Sequence, residues 1–264
     1  MKTVMKNALS AALFPALFAS VGATALPAAA ADFTPKTTLQ SYFALEGKTP
    51  YPTPYAGTLN FSALESKYAS PNGHGYRNEL KIAEKKRLSA AKTLEHFKAR
   101  ITPTLSNGAK TIVAQYHVVG TDTILKVYVQ DTADRSGLDK IAGNGIFDIL
   151  VRILGTNNEE ATTALGTVHS GEAFDLDIVF RAGKAQVSAT TAAHGALQTP
   201  LTEIKPDERA IYFKFGDYLQ ARDPVTGEHT SDPAKWDQYY SDNHIDTDRV
   251  SFSQTVFERE AAQP

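Results

Sequence analysis

The chain has 264 residues, 42% of them hydrophobic and 21% charged, with 27 Lys and Arg set against 29 Asp and Glu. That is enough apolar surface for a globular core, and it excludes a fibrous or wholly disordered chain. The formal net charge of -2 also lacks the basic excess of a nucleic-acid binder. Residues 1–31 read as a leader: Lys2 and Lys6 precede an apolar run from Ala8 to Val21, and small residues through Ala31 offer a cleavage site. The run is short for a membrane span and no later stretch approaches one. Residues 32–264 are therefore expected to be exported, secreted or periplasmic, as a single monomeric domain without membrane contact. The chain has no Cys, so the fold rests on its core and not on disulfides.

In chain order, residues 32–40 read as a loop. Residues 41–60, with Pro50, Pro52 and Pro54 interleaved by Tyr51 and Tyr55, must be extended or turning. Those tyrosines either offer a sugar-stacking surface or pin a loop to the body. Residues 60–68 are only weakly periodic, and residues 70–75 (Ser-Pro-Asn-Gly-His-Gly) form a turn. The strand that follows puts Arg77, Glu79 and Lys81 on one face and Tyr76, Asn78 and Leu80 on the other. From Ile82 the Ala, Lys, Glu and Leu content favours a helix. From Glu95, Phe97, Ala99 and Ile101 alternate with polar residues as a strand running towards Pro103.

Residues 111–120 form a second key strand, with Val113, Gln115, His117 and Val119 on one face. Residues 123–130 pair with it through a hairpin at Gly120-Thr121-Asp122. Here Lys126, Tyr128 and Gln130 face one way and Leu125, Val127 and Val129 the other. Residues 131–144 are loop. Residues 147–154, 173–180 and 184–188 alternate as strands, with residues 157–163 and 190–206 as polar connections. Residues 210–220 are a further strand: Tyr212, Lys214, Gly216, Tyr218 and Gln220 share one face, and Ile211, Phe213, Phe215 and Leu219 the core face, interrupted by Asp217. Residues 221–249 form a polar insertion holding Asp223, Asp232, Asp237, Asp242, Asp246 and Asp248, whose spacing matches no EF-hand loop and reads as a solvated cleft edge. The last strand, 249–258, contributes Val250, Phe252 and Phe257 to the core.

Short strands broken by Gly, Asn and Asp turns, with no strand–helix alternation, predict an all-β, jelly-roll sandwich. Three strands carry a resemblance. Arg77-Asn78-Glu79-Leu80-Lys81, Gln115-Tyr116-His117 and Tyr212-Phe213-Lys214-Phe215-Gly216-Asp217-Tyr218-Leu219-Gln220 resemble, in order and separation, the signature strands of the alginate lyases of polysaccharide lyase family 7. The resemblance spans roughly residues 40–258. It implies a concave sheet that holds the anionic polysaccharide alginate, a catalytic group of Arg77, Gln115, His117 and Tyr218, a substrate-contacting Lys214, and no cofactor or metal. Lys81 stands where the family has a second arginine. Tyr116 replaces the usual Ile or Val at a position associated with uronate preference, and Phe215 replaces a small residue.

The residues suit that chemistry on their own terms. β-Elimination removes the C5 proton beside a carboxylate and protonates the leaving oxygen at C4, so the carboxylate's growing charge must be met by fixed donors. Arg77 and Gln115 supply donors. His117 is suited to neutralising the carboxylate or taking the proton, and Tyr218 to acting as base and acid, its phenol biased by Lys214 and Arg77. Glu79 orients Arg77, and Lys81, Lys126, Tyr128, Tyr212 and Gln220 complete the expected substrate contacts. Lyase action on another polyuronate such as glucuronan, and a non-catalytic glycan-binding sandwich, are the competing readings.

Overall fold

In the computed structural model, residues 39–48, 55–120 and 123–260 are described. The expected leader, most of the first loop, the Pro50–Pro54 run with Tyr51, and the Thr121-Asp122 turn lie outside them. The strands are β1 (Phe43–Glu46), β2 (Leu59–Phe61), β3 (Arg77–Ile82), β4 (Leu88–Ser89), β5 (Leu94–Leu105), β6 (Lys110–Val118), β7 (Thr123–Gln130) and β8 (Ile146–Leu154). They continue as β9 (Glu160–His169), β10 (Phe174–Arg181), β11 (Lys184–Thr191), β12 (Gly195–Gln198), β13 (Thr202–Glu203), β14 (Ala210–Leu219) and β15 (Asp248–Arg259). One antiparallel sheet has the order β1-β3-β14-β6-β7-β8-β9, with β4 on the end of β14. The other runs β12-β11-β10-β5-β15-β2, with β13 beside β11. The expected all-β sandwich is what forms.

Alternation explains how the sheets face each other. Along β5, Phe97, Ala99, Ile101 and Leu105 point inward. His96, Lys98 and Arg100 point outward and pair across the strands with Asp177 and Asp175. From the opposite sheet, Phe213 and Phe215 of β14 meet this inner face. The Phe215 ring lies 4.9 Å from Phe97, 5.2 Å from Phe43 and 5.2 Å from Phe252. Each such ring removed from water contributes about 1.5–3 kcal/mol, so the large residue at 215 is accommodated by an aromatic cluster that fills the sandwich.

The two sheets differ on their outer faces. The outer face of β5 and β10 is solvated, as its exposed ion pairs show. By contrast β6 and β14 are buried almost continuously, on both faces. Residues 70–75, 131–145 and 220–247 rise along the edges of this second face and turn it into a trough. The last of these includes a helix, Pro233–Asp242, capped by Asp232 through a 2.9 Å bond from the Ala234 N–H and carrying Pro at its start. Its Trp236 is fully buried, edge-on to Tyr76 at 5.3 Å. Tyr240 Oη donates to the Leu219 carbonyl at 3.0 Å.

Several expectations are corrected. Residues 82–93 form no long helix: β3 ends at Ile82, and two single 3-10 turns (Glu84–Lys86 and Ala90–Lys92) flank β4, which pairs with Ala210 and Ile211. Residues 39–42 form one helical turn ahead of β1. The supposed connection at 157–163 is already β9 from Glu160, an outer strand with polar residues on both faces and hence no readable alternation. Residues 190–206 contain β12 and β13, and the polar insertion contains the helix.

Parity also fails on β6. On β6, Ile112 pairs with Tyr128 and Ala114 with Val127, leaving Val113 as an extra, bulged residue. Val113 and Ala114 both turn into the core, and Ile112 moves to the trough floor beside Tyr128 and Tyr218. The expectation that Val113 shares a face with Gln115 is therefore wrong, and everything before the bulge is reversed.

Candidate active site

Two rows of cross-strand neighbours make the trough floor. One runs Lys81–Lys214–Gln115–Lys126–Arg152, and the other Arg77–Tyr218–Ile112–Tyr128–Leu150. Gly216 lets β14 and β3 approach at the junction of the rows. Its φ is +146°, and a Cβ there would lie 2.4 Å from the Asn78 carbonyl oxygen.

Beneath the floor lies a buried charge network. Glu79, fully buried, receives Gln115 Nε2, lies 3.4 Å from Arg77 Nη1 and 3.6 Å from Lys214 Nζ. Lys214 is bound most closely by Glu46, which also accepts from Lys81 Nζ at 2.9 Å. Burial works against the Glu46 carboxylate, but Lys214 and then Lys81 outweigh it and hold its pKa down at about 2.

Gln115 is oriented by this network. Its amide nitrogen is turned to Glu79, so its oxygen, which can only accept, faces His117 Nε2 at 3.0 Å. The neutral His117 ring therefore carries its proton on Nε2 and leaves Nδ1 with a lone pair, 3.3 Å from Thr123 Oγ1. Burial, then Lys214 and Arg77, press the His117 pKa down to about 3, so the ring is neutral across ordinary pH. It stacks on Tyr212 with centroids 5.5 Å apart. The Tyr218 phenol oxygen accepts a 2.7 Å bond from the His74 backbone N–H, supplied by the turn at residues 70–75. The Arg77 guanidinium lies 3.7 Å from the centre of the Tyr218 ring.

The trough opens into a cleft of about 1300 Å³ lined by Arg77, Gln115, His117, Lys126, Tyr128, Tyr212, Lys214, Tyr218 and Gln220. Six Lys and Arg line it against three carboxylates, the reverse of the chain's overall charge. That is a surface for an anionic polymer. Residues 26–257 match the family model for alginate lyases. The chain belongs to the alginate lyase family.

The lyase is 37% identical to the alginate lyase from Alteromonas sp. 272, covering 84% of this chain and 96% of that one at a TM-score of 0.75. The same figures hold for a polysaccharide lyase of family 18, aly-SJ02. An alginate lyase from Klebsiella pneumoniae, 12% identical over 78% of this chain and 82% of that one, shares the fold at a TM-score of 0.54. Comparison with curated proteins gave no match.

Of the residues singled out from sequence, Arg77, Gln115, His117, Lys126, Tyr128, Tyr212, Lys214, Tyr218 and Gln220 meet at the cleft, while Glu79 and Lys81 do not line it. Glu79 lies underneath, against Arg77, Gln115 and Lys214. Lys81 turns to Glu46. Tyr116 also points away: fully buried, it packs at a tilt against Phe180 and Phe213 and donates to Glu95 at 2.8 Å. Tyr55 packs on the core, as the loop-pinning alternative had it. The aspartates of the insertion are absorbed elsewhere: Asp223 pairs with Lys235, Asp237 with Lys67, Asp246 accepts from Ser106, and Asp248 joins Asp217 in the interior. Among the described residues no three or more His, Asp or Glu converge to hold a metal ion.

Sequence reasoning missed Glu46, His74, Lys110, Arg152, Arg222 and His229, all on the cleft wall or floor. Glu46 sits in a four-residue strand too short to alternate visibly. Arg152 was the one recoverable miss, since alternation along β8 sets it on the face opposite Val151 and Ile153.

Proposed function

We propose that the lyase cleaves alginate by β-elimination at the cluster of Arg77, Gln115, His117 and Tyr218, releasing a chain end unsaturated between C4 and C5. The observation that carries this reading is the register: Tyr218 is the cross-strand neighbour of Arg77, and Gln115 and His117 share the face of the next strand. Arg77 and the second N–H of the Gln115 amide meet the carboxylate of the reacting uronate. As the C5 proton leaves, its electron pair forms the C4–C5 double bond, the C4–O bond breaks, and the departing oxygen takes a proton.

Tyr218 supplies that proton, and charge left on its oxygen is met by the His74 N–H. The C5 proton passes to Tyr218 itself or to Nδ1 of His117, according to which epimer presents the hydrogen. A bound carboxylate offsets the field of Lys214 and Arg77 that suppresses His117 basicity, so the imidazole becomes a better base when substrate is present. His117 thus contributes a lone pair, and neutralisation of the substrate falls to Arg77. The leader-like first residues support action outside the cytoplasm.

Tyr218→Phe tests the assignment. It removes one hydroxyl from a strand whose inner face is unchanged, so folding and polymer binding should persist while turnover falls at least about 100-fold. Ultraviolet absorbance of the unsaturated product, on poly-mannuronate, poly-guluronate and glucuronan, provides the measurement. Near-full turnover by the variant on every polymer would remove Tyr218 from the chemistry.

A further inference from the structure

The cleft extends well beyond Tyr218. Arg152 lies three strands from Lys214 in the same row, about 14 Å at the usual spacing, farther than one sugar ring spans. There Lys110 and Arg152 converge on the ring of Tyr128, with Lys110 Nζ 4.6 Å and Arg152 Cζ 5.3 Å from its centre. Arg222, on the loop after β14, joins them on the wall of the cleft. Tyr128 is itself nearly fully buried, so it acts as a post that holds the two cationic heads and not as a stacking platform.

These cations are short of partners. The Lys110 ammonium makes no ion pair or hydrogen bond among the described residues, and Arg152, though paired with Asp134 at 2.9 Å, keeps a buried Nε without an acceptor. Glu160 is held mainly by Lys126. Burial, followed by repulsion from Arg152, brings the Lys110 pKa down to about 8 against the pull of Asp134, with Arg222 and Lys126 adding further repulsion. An assembly of like charges that the folded chain holds against their own repulsion, open to solvent along a cleft, is built to be completed by an anion.

We propose that Lys110, Arg152 and Arg222 form a second carboxylate subsite around Tyr128, two strands or about 10 Å from Tyr218, which grips a uronate of the polymer beyond the one that reacts at Tyr218. This rests on the elimination reading above. The subsite makes the enzyme's affinity depend on chain length: an oligomer long enough to reach both places gains the second contact, and a shorter one does not.

The test is calorimetric titration of alginate oligomers of increasing length, and of polymer, into the Tyr218→Phe protein with and without Lys110→Gln. Lys110→Gln should weaken binding of polymer and long oligomers about tenfold, a loss that shrinks as salt screens the charges. Binding of the shortest oligomers should be unchanged, and the thermal midpoint unchanged or raised because a repelling charge has gone. Arg222→Gln, on an exposed loop, should show the same length-dependent loss and guards against a folding defect at 110. Equal losses at all lengths, or none at any length in both variants, would overturn the subsite. Failure of the elimination reading would appear separately, as turnover retained by Tyr218→Phe.

Discussion

Lys214 and Asp217 stand three residues apart on one strand and are both almost wholly buried, yet their surroundings are opposite in kind. Lys214 is set between two carboxylates, Glu46 and Glu79, so charge is matched by charge. Asp217 faces another acid. Its Oδ2 and the Oδ2 of Asp248 both lie 2.8 Å from the Ala63 N–H, while Thr111 Oγ1 donates to Asp217 and Ser62 Oγ to Asp248. Burial raises both acids, that of Asp217 well above its ordinary value, with each also feeling its neighbour, so the pair shares a proton. One site ties the trough floor together with ion pairs, and the other ties the two sheets, through β14 and β15, with a proton. Burial alone does not determine how a polar group is made tolerable.

The contrast has consequences of opposite sign with pH. The Glu46 carboxylate titrates at about 2 in the folded protein and near 4.5 otherwise, so its stabilisation is complete above 4.5 and is lost as pH falls towards 2. For the Asp217–Asp248 pair the folded pKa lies above the unfolded one. Its stabilisation is complete below about 3.9, the ordinary carboxylate value, and is lost as pH rises through the raised one.

The largest expected effect comes from breaking the matched site. Lys214→Ala leaves Glu46 and Glu79 buried without their central cation and should cost about 3–5 kcal/mol in chemical denaturation at neutral pH. Combining Lys214→Met with Glu46→Gln should recover a good part of that. If the single variant unfolds at the parent's denaturant midpoint, Lys214 serves substrate alone. Next comes the proton-sharing site. Asp217→Asn keeps groups able to bond Ala63, Thr111 and Asp248, so at pH 4 to 5 it should fall within about 1 kcal/mol of the parent. Above neutrality it should be the more stable of the two, because no second charge can form there. Parallel stability curves for parent and variant from pH 4 to 9 would show that no proton is shared. The smallest effect is expected from Lys81→Ala. Its ammonium is partly exposed beside Glu46, and it should cost under about 1 kcal/mol with the Michaelis constant for alginate nearly unchanged. A large rise in that constant would return Lys81 to the substrate-binding set.

How much of this was readable beforehand follows from the physics of each element. Strands with one wet and one dry face announce themselves, so β5, β7, β10, β11 and β15 were legible by alternation. The three strands bearing Arg77, Gln115, His117 and Tyr218 were legible as well, because they carry unusual polar residues on what would otherwise be a plain sheet. What escaped has particular causes. β9 is polar on both faces. The helix at Pro233–Asp242 was announced by the Asp232-Pro233 cap, but its single buried stripe of Trp236 and Tyr240 is too short to set a period. The partners of Lys214 and Asp217, namely Glu46 and Asp248, lie 168 and 31 positions away along the chain, and no local pattern encodes such meetings. Lys110 was hidden by the bulge, since strict alternation points it into the core.

That bulge also bears on how sequences of this kind can drift. Val113 divides β6 into two segments whose orientations are set independently. Deleting it would leave Ile112 and Ala114 as consecutive residues on opposite faces, so β6 would return to plain alternation with Lys110 and Ile112 still towards the cleft and Gln115 and His117 where they are. Loss of a residue at this point is therefore not equivalent to loss of one in a regular part of the strand, where every side chain on one side of the change would move to the other face. A lineage can lose this one codon and keep the same side chains lining both ends of its groove, whereas a loss at Ala114 or beyond the bulge would have to be absorbed by the bulge itself.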